Sequence, residues 1–196
     1  MRYQLIYLSA LLVSMLGLAA CASSVSPPSR YMLPGDDVAQ PNQTPEYTLL
    51  LRAPRLAHYL DVEGIVMQLD DITLHEAREH QWAESLGRQL ERGMRARLTQ
   101  QLPSTQVLRE EASHSQALTL RLEVDRFQGR HDGYAVVSGQ WQLRDPQGQL
   151  LRLDSFDTQT ELQSDGYPAL VRALAVSWDK AAEQIAQTIR QLQNKS

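Results

Sequence analysis

Thiols, imidazoles and paired carboxylates are the groups able to attack, bind metal or move protons, so their number and spacing bound the chemistry of this chain. Its 196 residues include one cysteine, Cys21, and five histidines. One cysteine forms no intramolecular disulfide, and neither a Cys₄ nor a Cys₂His₂ zinc site. The run His75-Glu76-Ala77-Arg78-Glu79-His80 brings two histidines close in sequence. They are five apart, however, and on a helix that separates them by about 140°, so they do not grip one ion as a four-residue spacing does. No Gly-x-Ser-x-Gly elbow and no Gly-rich phosphate loop occurs. Asp36-Asp37, Asp70-Asp71 and Glu110-Glu111 fall in turns or loops, where solvated charge is the ordinary role. No catalytic, cofactor-binding or metal-ligating residue is therefore assigned. A hydrolase built from scattered Ser, His and Asp stays open, although no pattern singles one out. The net charge of −4, from 19 basic against 23 acidic residues, argues against nucleic acid as a partner.

The place of Cys21 says what its thiol is for. Arg2 precedes an apolar run from Leu5 to Ala20, 16 residues, below the roughly 20 that a spanning helix needs. Length and flanks fit a secretory signal peptide over residues 1–20. The run closes on Leu18-Ala19-Ala20-Cys21, which resembles the bacterial lipoprotein box. There the small residues fit the signal peptidase and the cysteine sulfur takes a diacylglycerol, after which the freed amine is acylated. Serine is too poor a nucleophile for that step. Several acyl chains hold a protein stably where one binds marginally. Ala22 rather than Asp follows the cysteine, a pattern similar to that of lipoproteins sorted to the outer membrane. The expected mature chain carries 18 basic and 23 acidic residues, a net −5, in the periplasm. Seventeen of the 19 basic residues are Arg, which suits carboxylate or phosphate contacts; genomic composition produces the same bias.

Past the cysteine, residues 21–29 have the composition of a tether, and residues 30–196 read as a single domain. Short strands are expected over residues 30–34, 46–52, 64–69 and 105–108, with 72–74 a brief return after the Asp70-Asp71 turn. From about Glu79 the period turns helical, with Leu86, Leu90, Met94 and Leu98 on one face and Pro103 closing the segment. Leu118, Leu120, Leu122 and Val124 alternate with polar residues, the period of a half-buried strand. Phe127 is out of phase, which places a bulge near Asp125-Arg126. Strands over 134–144 and 150–162, joined by the turn Asp145-Pro146-Gln147-Gly148, complete an antiparallel meander. A final helix starts near Pro168, capped by Ser164 or Asp165, and carries a stripe of Leu170, Leu174, Trp178, Ala181, Ile185, Ile189 and Leu192. The expected architecture is α+β: a mainly antiparallel sheet with two long helices packed on it, in one two-layer domain.

In order and spacing, these segments resemble the paraquat-inducible protein C family of lipoproteins, the auxiliary lipoproteins of ABC-type transport. The matching stretches are Arg30 to Pro34, Ala53 to Leu60, Gly64 to Val66, Gln81 to Leu86, Leu122 to Phe127 with Gly129, and the helix Val171 to Ile189. The resemblance implies an outer-membrane lipoprotein of an intermembrane phospholipid-transport system that supports envelope integrity. The implied partners are an inner-membrane subunit and a periplasm-spanning protein with mammalian-cell-entry (MCE) domains, whose tip the lipoprotein receives. Since MCE proteins form rings, a ring-shaped homo-oligomer is expected, and no enzymatic role. The alternatives are a lipid chaperone with an acyl-chain cavity between sheet and helices, or an envelope hydrolase. Loops 34–45, 53–63 and 128–133 are candidate partner surfaces, because loops commonly carry function.

Overall fold

The computed structural model describes residues 26–35, 44–110 and 116–194. One strand organises it. β7, Leu118–Arg130, runs 13 residues, and its alternating leucines turn Leu120, Leu122 and Val124 into the core. Along one edge it pairs antiparallel with β8, Tyr134–Arg144, which pairs in turn with β9, Leu150–Glu161. Along its other edge three short strands follow one another, all parallel to it. β2 (Tyr47–Leu51) pairs with residues 118–120, β3 (Arg55–Leu56) with 123–124, and β4 (Gly64–Gln68) with 129–130. From β2 the sheet continues to β6, Thr105–Arg109. From β4 it continues to β5, Leu74–Trp82, and then to β1, Ser29–Tyr31.

The α+β class and the two helices on one sheet are as expected; the predominance of antiparallel pairing is not. Five of the eight strand pairings among the described residues are parallel. The meander β7–β8–β9 is antiparallel and has the longest registers, but the amino-terminal strands return by long connections and join side by side in the same sense. The bulge appears where Phe127 leaves the phase: the β7–β8 register shifts between Val124 and Arg126. Residues 74–82 form a strand, so helix α1 begins at Leu86, not near Glu79, and runs to Gln101.

Helix α2, Tyr167–Gln193, lies across β7, β8 and β9. Its 27 residues are roughly 40 Å long. Its cap is Gly166 at φ 96°, with no side-chain cap bond, so neither Ser164 nor Asp165 caps it. Trp178 on α2 is fully buried, edge-on to Phe127 (6.1 Å) and Phe156 (5.8 Å). Its indole N–H donates to the Leu90 carbonyl of α1 at 3.3 Å, which joins the two helices above the sheet. On β9, whose outer edge has no strand partner among the described residues, Lys180 Nζ donates to the Gln159 carbonyl at 2.7 Å.

Gly139 of β8 sits where the bulge brings β7 closest. A Cβ there would lie 2.0 Å from the Glu123 carbonyl oxygen and 2.8 Å from Phe156 Cζ. Gly139→Ala is therefore expected to lower unfolding stability in urea by roughly 1–3 kcal/mol or more, as overpacking does. Gln140→Ala, on the exposed neighbour, should stay within about 0.5 kcal/mol.

Candidate functional site

Leu18, Ala19, Ala20 and Cys21 lie outside the described residues, as do Asp36-Asp37. His75 and His80 belong to strand β5 rather than a helix, and five residues of strand set them roughly 16 Å apart. They do not share a metal. His80 is taken up structurally: its ring stacks on Tyr167 with centroids 4.0 Å apart, and Nδ1 lies 2.9 Å from the Tyr31 hydroxyl. His58, His75 and His131 are exposed. Among the described residues no group of three His, Cys, Asp or Glu is placed to hold a metal ion, and no helix is long and apolar enough to cross a membrane.

What the structure builds with care is the exit of the amino-terminal chain. β1 pairs with the end of β5, Ser29 opposite His80 and Tyr31 opposite Trp82. Beyond it, the Leu33 N–H donates at 2.8 Å to Oε1 of Gln89, a fully buried side chain on α1 whose Nε2 donates to the Glu84 carbonyl. Arg97, also on α1 and buried, donates to the Pro34 carbonyl at 3.1 Å and pairs with Asp179 of α2. α1 thus fastens residues 33–35, with Arg97 held in turn by Asp179 of α2.

Of the candidate loops, 34–45 is largely outside the described residues, while 53–63 is ordered by β7. Its 3₁₀ turn, His58–Leu60, brings the Tyr59 hydroxyl to donate at 2.7 Å to the carbonyl of Asp125, which the bulge has freed from the ladder. Gln128 Oε1 is 2.8 Å from the same hydroxyl. Burial pushes the Tyr59 hydroxyl above its usual range, with Arg126 opposing the shift. The loop's end borders an open cleft of about 440 Å³ lined by Arg30, Asp61, Glu63, Trp82, Glu84 and Ser85. Val62 and Ala83 complete its lining, so four charged side chains share it with apolar ones, and it is open rather than an enclosed pocket of the kind that buries most of a ligand.

Two exposed apolar groups were not legible as sites in the sequence. One is the tip of the β4–β5 hairpin, with Leu69, Ile72 and Leu74. The other is the start of β9, with Leu150, Leu151 and Leu153. They stand at opposite ends of the strands, since β4 ends beside Arg130 whereas β9 begins beside Arg144. The turn 131–133, at the end of the 128–133 loop, lies at the first of these ends.

A sequence profile of the ABC-type transport auxiliary lipoprotein component matches residues 31–186. Intermembrane transport lipoprotein PqiC of Escherichia coli is 34% identical over 186 residues, covering 92% of this chain and 96% of that protein, and its Shigella flexneri counterpart matches equally. A crystal structure of an uncharacterized protein superposes with a TM-score of 0.74 at 32% identity, over 84% of this chain and 99% of the other. Protein XCC0632 of Xanthomonas campestris has the same fold, with a TM-score of 0.70 at 16% identity, over 85% and 98%.

Gln89→Leu leaves the Leu33 amide without its acceptor; its exchange with solvent deuterium should quicken roughly tenfold or more, with a stability loss of roughly 1–3 kcal/mol. Because folding raises the Tyr59 pKa, its contribution is complete below the unfolded value of about 10 and is lost as pH rises through the folded one. Alkaline denaturation curves should fall above about pH 10. Tyr59→Phe should flatten that fall in part, leaving the part due to Tyr167, which burial also raises, and should cost roughly 1 kcal/mol at neutral pH for the lost hydrogen bond.

Proposed function

We propose, for a chain that belongs to the ABC-type transport auxiliary lipoprotein family, that it is the outer-membrane lipoprotein subunit of an intermembrane phospholipid-transport system. In this reading a signal peptide over residues 1–20 is removed at Leu18-Ala19-Ala20, and acyl chains on Cys21 hold the domain at the outer membrane facing the periplasm. There it docks the tip of a periplasm-spanning MCE-domain protein, whose inner end meets an inner-membrane subunit. It assembles as a ring to match a ring-shaped partner, and it carries out no catalysis. The observation that carries the reading is the 34% identity to a protein named as an intermembrane transport lipoprotein, over nearly the full length of both chains.

The fold supports an adaptor better than a chaperone. Between sheet and helices, Trp178, Phe127, Phe156, Leu90, Met94 and Ile185 are packed with 2% exposure or less. A lipid tail entering there would have to displace a close-packed core. The cleft beside residues 61–63 is open at the surface and carries the charged side chains of Arg30, Asp61, Glu63 and Glu84. A hydrolase has less support still, since among the described residues the one histidine held on both ring face and nitrogen, His80, is held by tyrosines.

Cys21→Ser is expected to abolish incorporation of labelled fatty acid and to shift the protein from the membrane fraction to the soluble one. In envelopes carrying the unaltered chain, photo-crosslinkers in the 53–63 segment should capture an MCE-domain protein, and native mass spectrometry of the detergent-solubilised chain should give a closed oligomer. A monomer without crosslinks in envelopes that contain the transporter overturns the docking reading.

A further inference from the structure

The hairpin tip between β4 and β5 is built as a turn but holds side chains that a turn does not require. Asp70 Oδ1 accepts the N–H groups of Ile72 (2.9 Å) and Thr73 (2.7 Å), and the Leu69 N–H donates to the Thr73 carbonyl at 2.9 Å. These bonds hold the Asp70 carboxyl below its usual range. Asp, Asn, Gly and Ser suit such positions; a β-branched apolar residue does not arise from turn chemistry. Yet Ile72 is 86% exposed, flanked by Leu69 at 51% and Leu74 at 42%. Single exposed apolar side chains are ordinary, but three within six residues at one turn are a concentration that the turn itself does not call for.

The course of the amino terminus says with what. β1 is parallel to β5 and starts opposite His80, so the chain enters Ser29 from the side of the sheet on which β5 begins, at Leu74. Leu74 is six residues, roughly 20 Å, from His80 along the strand. Cys21 precedes Ser29 by eight residues, a reach of at most roughly 28 Å. The anchor can therefore stand level with the tip. The β8–β9 turn, with the other apolar group, lies in the opposite direction. It is roughly 23 Å along the strands from the level of Ser29 and four strands, roughly 19 Å, across the sheet, beyond the tether's reach.

We propose that Leu69, Ile72 and Leu74 are a second membrane contact that enters the phospholipid surface beside the acylated Cys21 and so fixes the domain's orientation; this rests on the reading of Cys21 as a lipid anchor. The carboxylates of Asp70 and Asp71 keep the tip shallow, at the level of the headgroups, while the apolar side chains meet the acyl boundary. A tether alone leaves the domain free to tumble over the bilayer. Two contacts on one side present the β8–β9 end to the periplasm.

The test uses the mature lipidated chain in vesicles of phosphatidylethanolamine and phosphatidylglycerol. Acylation consumes the native thiol, so Ile72→Cys or Gln147→Cys gives one labelling site at either end of the sheet. Both positions are exposed, so neither change disturbs the core. An NBD label at 72 should emit to the blue and lose intensity when doxyl-labelled phospholipid is included, and one at 147 should do neither. A vesicle-bound chain whose label at 72 stays in water, or whose label at 147 is quenched instead, overturns the proposal. So does a blue shift at 72 that doxyl lipid leaves untouched and dilution reverses, the mark of a contact between copies. A chain that does not float with the vesicles overturns the anchor reading itself, and the hairpin contact falls with it.

Discussion

A strand of 13 residues in the middle of a sheet must satisfy its backbone hydrogen bonds on both edges, and that demand on β7 governs the rest of the molecule. One edge meets it with a single long neighbour, β8. The other meets it piecemeal, with β2, β3 and β4 taking successive lengths. Where the bulge at Asp125 frees a carbonyl, the Tyr59 hydroxyl from the β3–β4 connection accommodates it. The sheet forks on that edge: β2 leads to β6 near one end of β7, and β4 leads to β5 and β1 near the other. The amino-terminal chain leaves the domain where it does because β7 has room for β4 only at its final residues.

In the proposed role, function follows from that placement more than from any reactive group. The interior is spent on packing: α2 lays its apolar stripe over the meander, and Trp178 locks α1 to it. What remains for recognition is the ends of the strands and the charged rim of the 53–63 segment. Gln89 and Arg97 tie the exit of the tether to α1, so a lipid on Cys21 would pull on a fixed point of the fold rather than on a loose arm. In the proposed role, holding a partner at a membrane, that rigidity is what the subunit needs, because its output is position.

Much of the meander was legible because its signals are local. Leu118 to Val124 alternate without a break, Phe127 announces the bulge by its phase, and Asp145-Pro146-Gln147-Gly148 turns the chain without long-range help. The stripe from Leu170 to Leu192 likewise reads as a helix on its own. Residues 74–82 do not. His75-Glu76-Ala77-Arg78-Glu79-His80-Gln81-Trp82 buries only Ala77 and Trp82, so it has no alternation to read and takes its strand conformation from pairing with β4 and β1. The parallel sense of β2, β3 and β4 was hidden for the same reason: parallel partners are joined by long connections, and no residue of theirs encodes which edge of β7 is vacant.

The proposed anchor is a reading of the sequence alone, because signal peptidase and acylating enzymes act on an extended peptide and a box such as Leu18-Ala19-Ala20-Cys21 needs no fold to be recognised. Sequence by itself therefore determined the class of the domain, its two helices, its meander and the residue expected to carry lipid. Tertiary structure alone decided which exposed residues lie on the side of the sheet from which the chain enters β1. Ile72 and Ser29 are far apart in the chain, and only the pairing of β1 with β5 sets Ser29 on the strand beside that hairpin, since hydrogen-bonded register, not composition, sets where distant segments meet.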